Sequence, residues 1–479
     1  MINKVLEAIK NPERNEKVLS SYPFLLIEGF IFLICWIFSS SITSCVFTCL
    51  YSFAILFFTN NGLLFAPLIF YVLFSYSKMP YFNTIPIELI VELSFGLLGI
   101  IGMYIKQIII NRKLNFSFGS CGFSFILIAV LSFISSIYNQ FANPTLTPQF
   151  FKPEFILYGY FVDFLVVIFI LIYLVFVNTA KTDRYDLLYK TFYVWALIIS
   201  IEVIIANFTK NNNSVLFYTD DLGWSNSKNV TSLAFEISLP FLCVIFNRNK
   251  KRIDALLLIL FSIFVIFISN SRGGLITLIL LSLLMCYLMF YKKGDIISSL
   301  STSFLVFCMM VTFCLAIVVY NDNLNKYFVE ILKRGFNLTD RDLLWKFCID
   351  KFYTSPVIGC SYTSLFELYQ FYFAKPGSDI GIALAHNTWM TFLTSLGVIG
   401  IVLFVINSLE LVFTTLNLKN KQTTLALIYF LCVGFIHGFI DNTFFSIIYM
   451  LPLIFVFAQK DEINILEYYK YKRVVKATI

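Results

Sequence analysis

Charge is scarce in this chain. Only 13% of its 479 residues are Asp, Glu, Lys or Arg, about half of what a soluble domain carries. A large solvated surface is therefore excluded. With 59% apolar and 18% aromatic residues, the long apolar runs read as one helical bundle in lipid. Histidine is nearly missing, at two residues, and no acidic or cysteine cluster accompanies it, so no metal or other cofactor is expected. None of the eleven cysteines stands in a CxxC pair, which argues against a zinc site or a disulfide framework. Most of them (Cys35, Cys45, Cys49, Cys243, Cys286, Cys308, Cys314 and Cys432) lie inside apolar runs, where cysteine acts as a small apolar residue. Met1–Ser21 is polar and charged and reads as a cytoplasmic lead-in rather than a cleaved signal. The paired carboxylates of a glycosidase are not detectable.

What is present is a repeated alternation of apolar runs and basic clusters. Stretches of spanning length fall near 24–40, 42–59, 62–78, 86–105, 120–138, 154–178, 185–207, 229–246, 253–270, 274–291, 297–320, 387–415, 423–438 and 443–459. They predict an all-α integral membrane protein of about fourteen transmembrane helices. The stretch 24–59 also allows one long helix plus a re-entrant piece. The clusters Lys4/Lys10/Arg14/Lys17, Lys106/Arg112/Lys113, Lys181/Arg184, Arg248/Lys250/Lys251/Arg252, Lys292/Lys293, Lys419/Lys421 and Lys470/Lys472/Arg473 then all fall on one side, the cytoplasmic one by the positive-inside rule. The net charge of +7 belongs to these juxtamembrane clusters, so a nucleic-acid partner is not expected. The order is a cytoplasmic N-terminal segment (1–21), a bundle of about eleven helices (22–320), a long external segment (321–385), C-terminal helices (386–459) and a cytoplasmic tail (460–479), with both termini cytoplasmic. Long loops without a task are uncommon, so chemistry is expected at 321–385. Within it, Thr339-Asp340-Arg341-Asp342 reads as a capping box that opens a helix at Arg341–Tyr353, stopped by Ser355-Pro356.

Three of the nine arginines lie on the wrong side of the charge rule: Arg272, Arg334 and Arg341. Arginine clamps a diphosphate through a planar fork that keeps its charge. The plainer alternative is a snorkelling cation among lipid headgroups. His386 directly follows the external segment, where a histidine serves either as a base near neutral pH or as a headgroup contact or cap. His437 lies in an apolar run with Asp441 one turn later, and a structural hydrogen-bonded pair is expected there. Arg272, His386 and the segment Asn226-Ser227-Lys228-Asn229 each precede a span that runs inward, so each sits at an outward helix N-terminus. Such termini attract anions, and three converging ends would form a pocket for a phosphate-bearing ligand lined by Asn226, Lys228 and Asn387. Glu28, Glu92, Asp163, Glu202 and Glu236 are acids inside spans, and Glu236 is placed to partner an arginine of the same pocket.

The run His386-Asn387-x-x-Met390-x-x-Leu393-x-x-x-Gly397-x-x-Gly400 resembles the hallmark of the O-antigen ligase and polymerase family, which includes the Wzy-type polymerases. Ser271-Arg272-Gly273, the set Arg341, Trp345, Pro356 and Gly359, and Gly223-Trp224-x-Asn226-x-x-Asn229 followed by Pro240 match further family segments in order. The resemblance covers about 220–460. It implies a GT-C-like bundle and a metal-independent glycosyltransferase that polymerises undecaprenyl-diphosphate-linked repeat units at the external face of the bacterial plasma membrane. In that scheme Arg272 and Arg341 hold the diphosphate and His386 activates the acceptor hydroxyl. Arg334 is a further substrate contact, with Glu236, His437 and Asp441 in support. Expected partners are the lipid-linked donor and acceptor, membrane lipid and a chain-length regulator protein. An O-antigen ligase that transfers glycan to a lipid A core is the alternative. A lipid-linked oligosaccharide flippase is the alternative of another class, opposed by the absence of a repeat between halves and by the long external segment.

Overall fold

The computed structural model describes residues 11–38, 40–76, 87–111, 117–119, 121–142, 153–179, 184–210, 228–248, 252–269, 271–320, 329, 341–364, 385–418, 420–446 and 448–458. Among these residues the protein is a multi-pass helical bundle without strands. A short helix α1 (Pro12–Leu19) meets α2 (Tyr22–Ile37) at a 58° bend. Proline in the first turn of each suits the helix start, where its missing N–H costs nothing. Then follow α3 (Ser41–Phe58), α4 (Phe65–Tyr76), α5 (Ile87–Asn111), α6 (Gly122–Phe141), α7 (Pro153–Thr179) and α8 (Arg184–Lys210). The uncertain stretch 24–59 is thus two separate helices. The C-terminal half holds α9 (Lys228–Arg248), α10 (Ile253–Ile268), α11 (Arg272–Phe290), α12 (Ile296–Tyr320), α13 (Arg341–Thr354), α14 (Thr388–Leu416), α15 (Lys421–Gly438) and α16 (Ile448–Ala458). Every stretch expected to span is occupied by a helix. Eight are long and apolar enough to cross a membrane, nine with the bent pair, and four shorter ones are apolar.

The bundle is organised around α9, whose apolar window is 89% buried. It packs on α8, α10, α11 and α15, and the Phe192–Phe241 stack at 4.2 Å ties it to α8. All five intramembrane acids are buried. Serine hydroxyls answer three of them, Ser132 and Ser136 donating to Asp163, Ser44 to Glu92 and Ser232 to Glu236.

The stretch 387–415, expected as one span, is broken. Gly397 takes φ 64 and ψ −161 inside α14. An unbroken helix of 29 residues would be about 43 Å long, well beyond a hydrocarbon core of about 30 Å. The part below Gly397 alone reaches about 28 Å, so the upper part is free to do something else. It receives the chain that follows α13: the amides of Val398 and Ile399 donate to the carbonyls of Pro356 and Val357, and those of Cys360 and Ser361 donate to Thr394 and Ser395. A helix break leaves carbonyls and amides without partners, and the chain at 356–361 supplies them.

Candidate functional site

The site is built from four helix ends and one turn. Helix α13 lies along the upper part of α14. Trp345 Nε1 donates to the carbonyl of Ala385 at 3.1 Å, which fixes the residue before His386. Asn387 caps α14: its Oδ1 accepts from the Met390 amide, and its Nδ2 donates to the Phe439 carbonyl. Asn442 Oδ1 in turn accepts from the Asn387 amide and from Thr391 Oγ1. The sequence suggested Asn387 as a substrate contact, and the structure gives its side chain a capping task. Held between these bonds, His386 adopts φ 46, a left-handed conformation that costs a non-glycine residue about 1–2 kcal/mol. Such outliers gather at functional sites.

The His386 side chain is 41% exposed, and its Nδ1 lies 3.3 Å from Asp441 Oδ1. Asp441 Oδ2 accepts from Asn229 Nδ2 at 2.6 Å, and its Oδ1 also accepts from the Asn442 amide. The N-terminal end of α9 is thereby joined to the head of α14 through one carboxylate. Burial alone would raise the Asp441 pKa, yet the hydrogen bond and charge of His386, followed by the charge of His437 and the Asn442 amide, hold it well below the ordinary carboxylate range.

Arg341 opens α13 and donates from Nη1 to the carbonyl of Ile440 at 2.7 Å. Burial lowers its pKa, the charge of Asp441 opposes that, and the charge of Arg272 adds to it. A guanidinium remains cationic under such a shift. Arg272 is the first residue of α11, and Ser271 Oγ accepts from the Gly274 amide as its N-cap. Glycine follows for a steric reason: a Cβ on Gly273 would lie 2.6 Å from the His437 ring, and one on Gly274 would lie 2.8 Å from Glu236 Oε1. So the arginine turn rests directly on α9 and α15.

Two expected pairings change. Asp441 was assigned to His437 on sequence proximity, whereas its carboxylate serves His386 and Asn229, and only its amide bonds the His437 carbonyl. Glu236 was assigned to an arginine. Its Oε2 lies 3.0 Å from His437 Nδ1 and its Oε1 accepts from Ser232 Oγ at 2.7 Å. The hook after α15 turns Asp441 away from His437 toward His386, while the packing of α9 on α15 brings Glu236 to His437, and linear spacing encodes neither. Asn226, Arg334 and the Lys228 side chain lie outside the described residues. No group of three or more possible metal ligands occurs among the described residues.

Sequence reasoning missed the support beneath the break. Asn139 Nδ2 donates to the Gly359 carbonyl at 2.7 Å, and Ser135 Oγ donates to the Gly359 and Ser395 carbonyls while accepting from the Ser361 amide. Both residues are fully buried on α6. A polar pair at the end of an apolar run was the available signal.

Residues 257–405 match a family model described as O-antigen ligase. The matched region contains Arg272, Arg341, His386 and Gly397, and ends before His437 and Asp441. No curated protein matches the chain significantly.

Proposed function

We propose that this chain acts as a member of the O-antigen ligase/polymerase family, whose model matches residues 257–405, and that it joins undecaprenyl-diphosphate-linked repeat units at the external face of a bacterial membrane. The observation that carries this reading is the convergence of a His386–Asp441 pair with Arg341 and the Arg272 turn. Arg272 and Arg341 bind the donor diphosphate, and the positive N-terminal end of α11 adds to the anion site. His386 accepts the proton of the acceptor hydroxyl on Nε2. The hydroxyl oxygen forms the new bond to the anomeric carbon of the donor as the bond to the diphosphate breaks. Asp441 faces Nδ1, fixes the tautomer and balances the imidazolium as it forms. The two guanidiniums neutralise the departing diphosphate.

The description of the matched family favours a second reading, a ligase that transfers glycan to a lipid A core. One assay separates the two. Purified protein is given a defined undecaprenyl-diphosphate repeat unit, with and without a lipid A core acceptor. A ladder on the lipid diphosphate identifies a polymerase. A single transfer that requires the core identifies a ligase.

A further inference from the structure

His437 is not used by this scheme, yet it lies in the same place. Its side chain is 1% exposed and its Nδ1 is held 3.0 Å from Glu236 Oε2. The opposite edge of the ring abuts the arginine turn, since a Cβ on Gly273 would lie 2.6 Å from His437 Nε2. Arg341 and Asp441 are both within electrostatic reach of the ring. Among the described residues Nε2 has no hydrogen-bond partner. An imidazole nitrogen without one, in a ring only 1% exposed, offers a ligand atom a place. With Nδ1–H donated to Glu236, Nε2–H points its donor edge at the turn that carries Arg272.

We infer that His437 is a third ligand of the donor diphosphate, its Nε2–H donating to a phosphate oxygen beside Arg272 while Glu236 balances its charge. This rests on the diphosphate pocket proposed above. The arrangement has a physical logic, because a third arginine here would bury an unbalanced cation, whereas a His–Glu pair enters the bundle nearly neutral. The groups facing the ring are Glu236 and Ser232 on α9, the Arg272 turn on α11, Arg341 on α13, and Asp441 beyond its own helix. A diphosphate brings a negatively charged acceptor to the edge that Nε2–H faces. The glycine at 273 keeps that edge uncovered, since a Cβ there would lie 2.6 Å from Nε2.

The test uses binding of undecaprenyl diphosphate, free of sugar, to purified full-length protein. All variants are made on Glu236→Gln, so that no carboxylate is left buried alone when the histidine is changed. His437→Phe keeps a ring against Gly273 without a donor, and His437→Gln keeps an N–H near the Nε2 position. The inference expects His437→Phe to weaken binding about tenfold or more relative to Glu236→Gln, and His437→Gln to stay within about threefold. A packing role alone gives the reverse order and overturns it. Should His437→Phe not fold, the chain's having only two histidines supplies a second measurement. In 15N-histidine-labelled His386→Ala protein, undecaprenyl diphosphate must shift the Nε2 resonance more than the Nδ1 resonance. An unmoved Nε2 resonance overturns the inference. Arg272→Ala and Arg341→Ala separate the two levels. If both bind the probe normally, the pocket itself is wrong; if they lose binding while His437 stays silent, only its ligand role falls.

Discussion

Gly359 and Gly397 stand back to back across the break in α14. A Cβ on Gly397 would lie 2.6 Å from the Gly359 amide nitrogen, and one on Gly359 would overlap the backbone of Ser395 and Leu396. Both residues hold positive φ, 75 and 64. The chain that follows α13 and the helix headed by His386 are thus clasped at backbone distance, roughly 14 Å along the helix from its start. Alanine at either position should cost melting temperature and reduce turnover at least tenfold, because backbone must move and the moved backbone carries His386. Gly294 is the control, since it has φ 85 but nothing within 4 Å. Gly294→Ala should cost only the left-handed strain, about 1 kcal/mol, with turnover retained. Equal effects at all three positions would show that the clasp has no special part.

Arg272 and Arg341 should not accept lysine, because lysine keeps the charge and loses the bidentate fork. Each Arg→Lys change is expected to reduce product formation about tenfold or more with normal membrane expression. Arg334→Lys should matter less. Full activity in the double Arg272→Lys, Arg341→Lys protein would make both residues headgroup anchors.

Asp441 gives a prediction with a sign. Its folded-state pKa lies below the ordinary value of about 3.9. Its charge therefore contributes stability above that ordinary value, and the contribution fades as pH falls toward the depressed one. The melting-temperature difference between wild type and Asp441→Asn should shrink as pH falls below about 4, where the carboxylate begins to be protonated. Turnover of Asp441→Asn should fall about 10²-fold or more across the neutral range, since the amide cannot balance an imidazolium. A difference that persists or grows below about pH 4 would contradict a carboxylate held ionised by His386.

Sidedness has its own test. In a cysteine-free background, an impermeant thiol reagent applied from outside should label a cysteine at Asn323 and spare one at Asn249, given the basic clusters between spans. The opposite pattern would move the site to the cytoplasm.

The helices were legible because spanning length and apolar character are local properties, and α13 was legible from its capping box and its proline stop. The starts of α11 and α14 beside Arg272 and His386 were legible for the same reason. The break at Gly397 was not, although the glycine was noticed, because a glycine in a span is tolerated without a break. What creates the break is a partner, the carbonyls at 356 and 357, about 40 residues earlier in the chain. The acid–histidine pairs failed in the same way. Asp441 is four residues from His437 and 55 from His386, and only the hook after α15 decides which of the two its carboxylate meets. Asn139 and Ser135 were passed over because one polar residue in an apolar run gives no address for its partner.

The central claim is that His386 acts as the base beside a diphosphate held by other residues. The direct measurement is donor binding and product formation on one preparation of His386→Ala. Binding of the undecaprenyl-diphosphate repeat unit should stay within about threefold of wild type, because the arginines hold it, while product formation falls about 10²–10⁴-fold. A normal product ladder from His386→Ala would contradict the account, and so would a loss of donor binding that matches the loss of product.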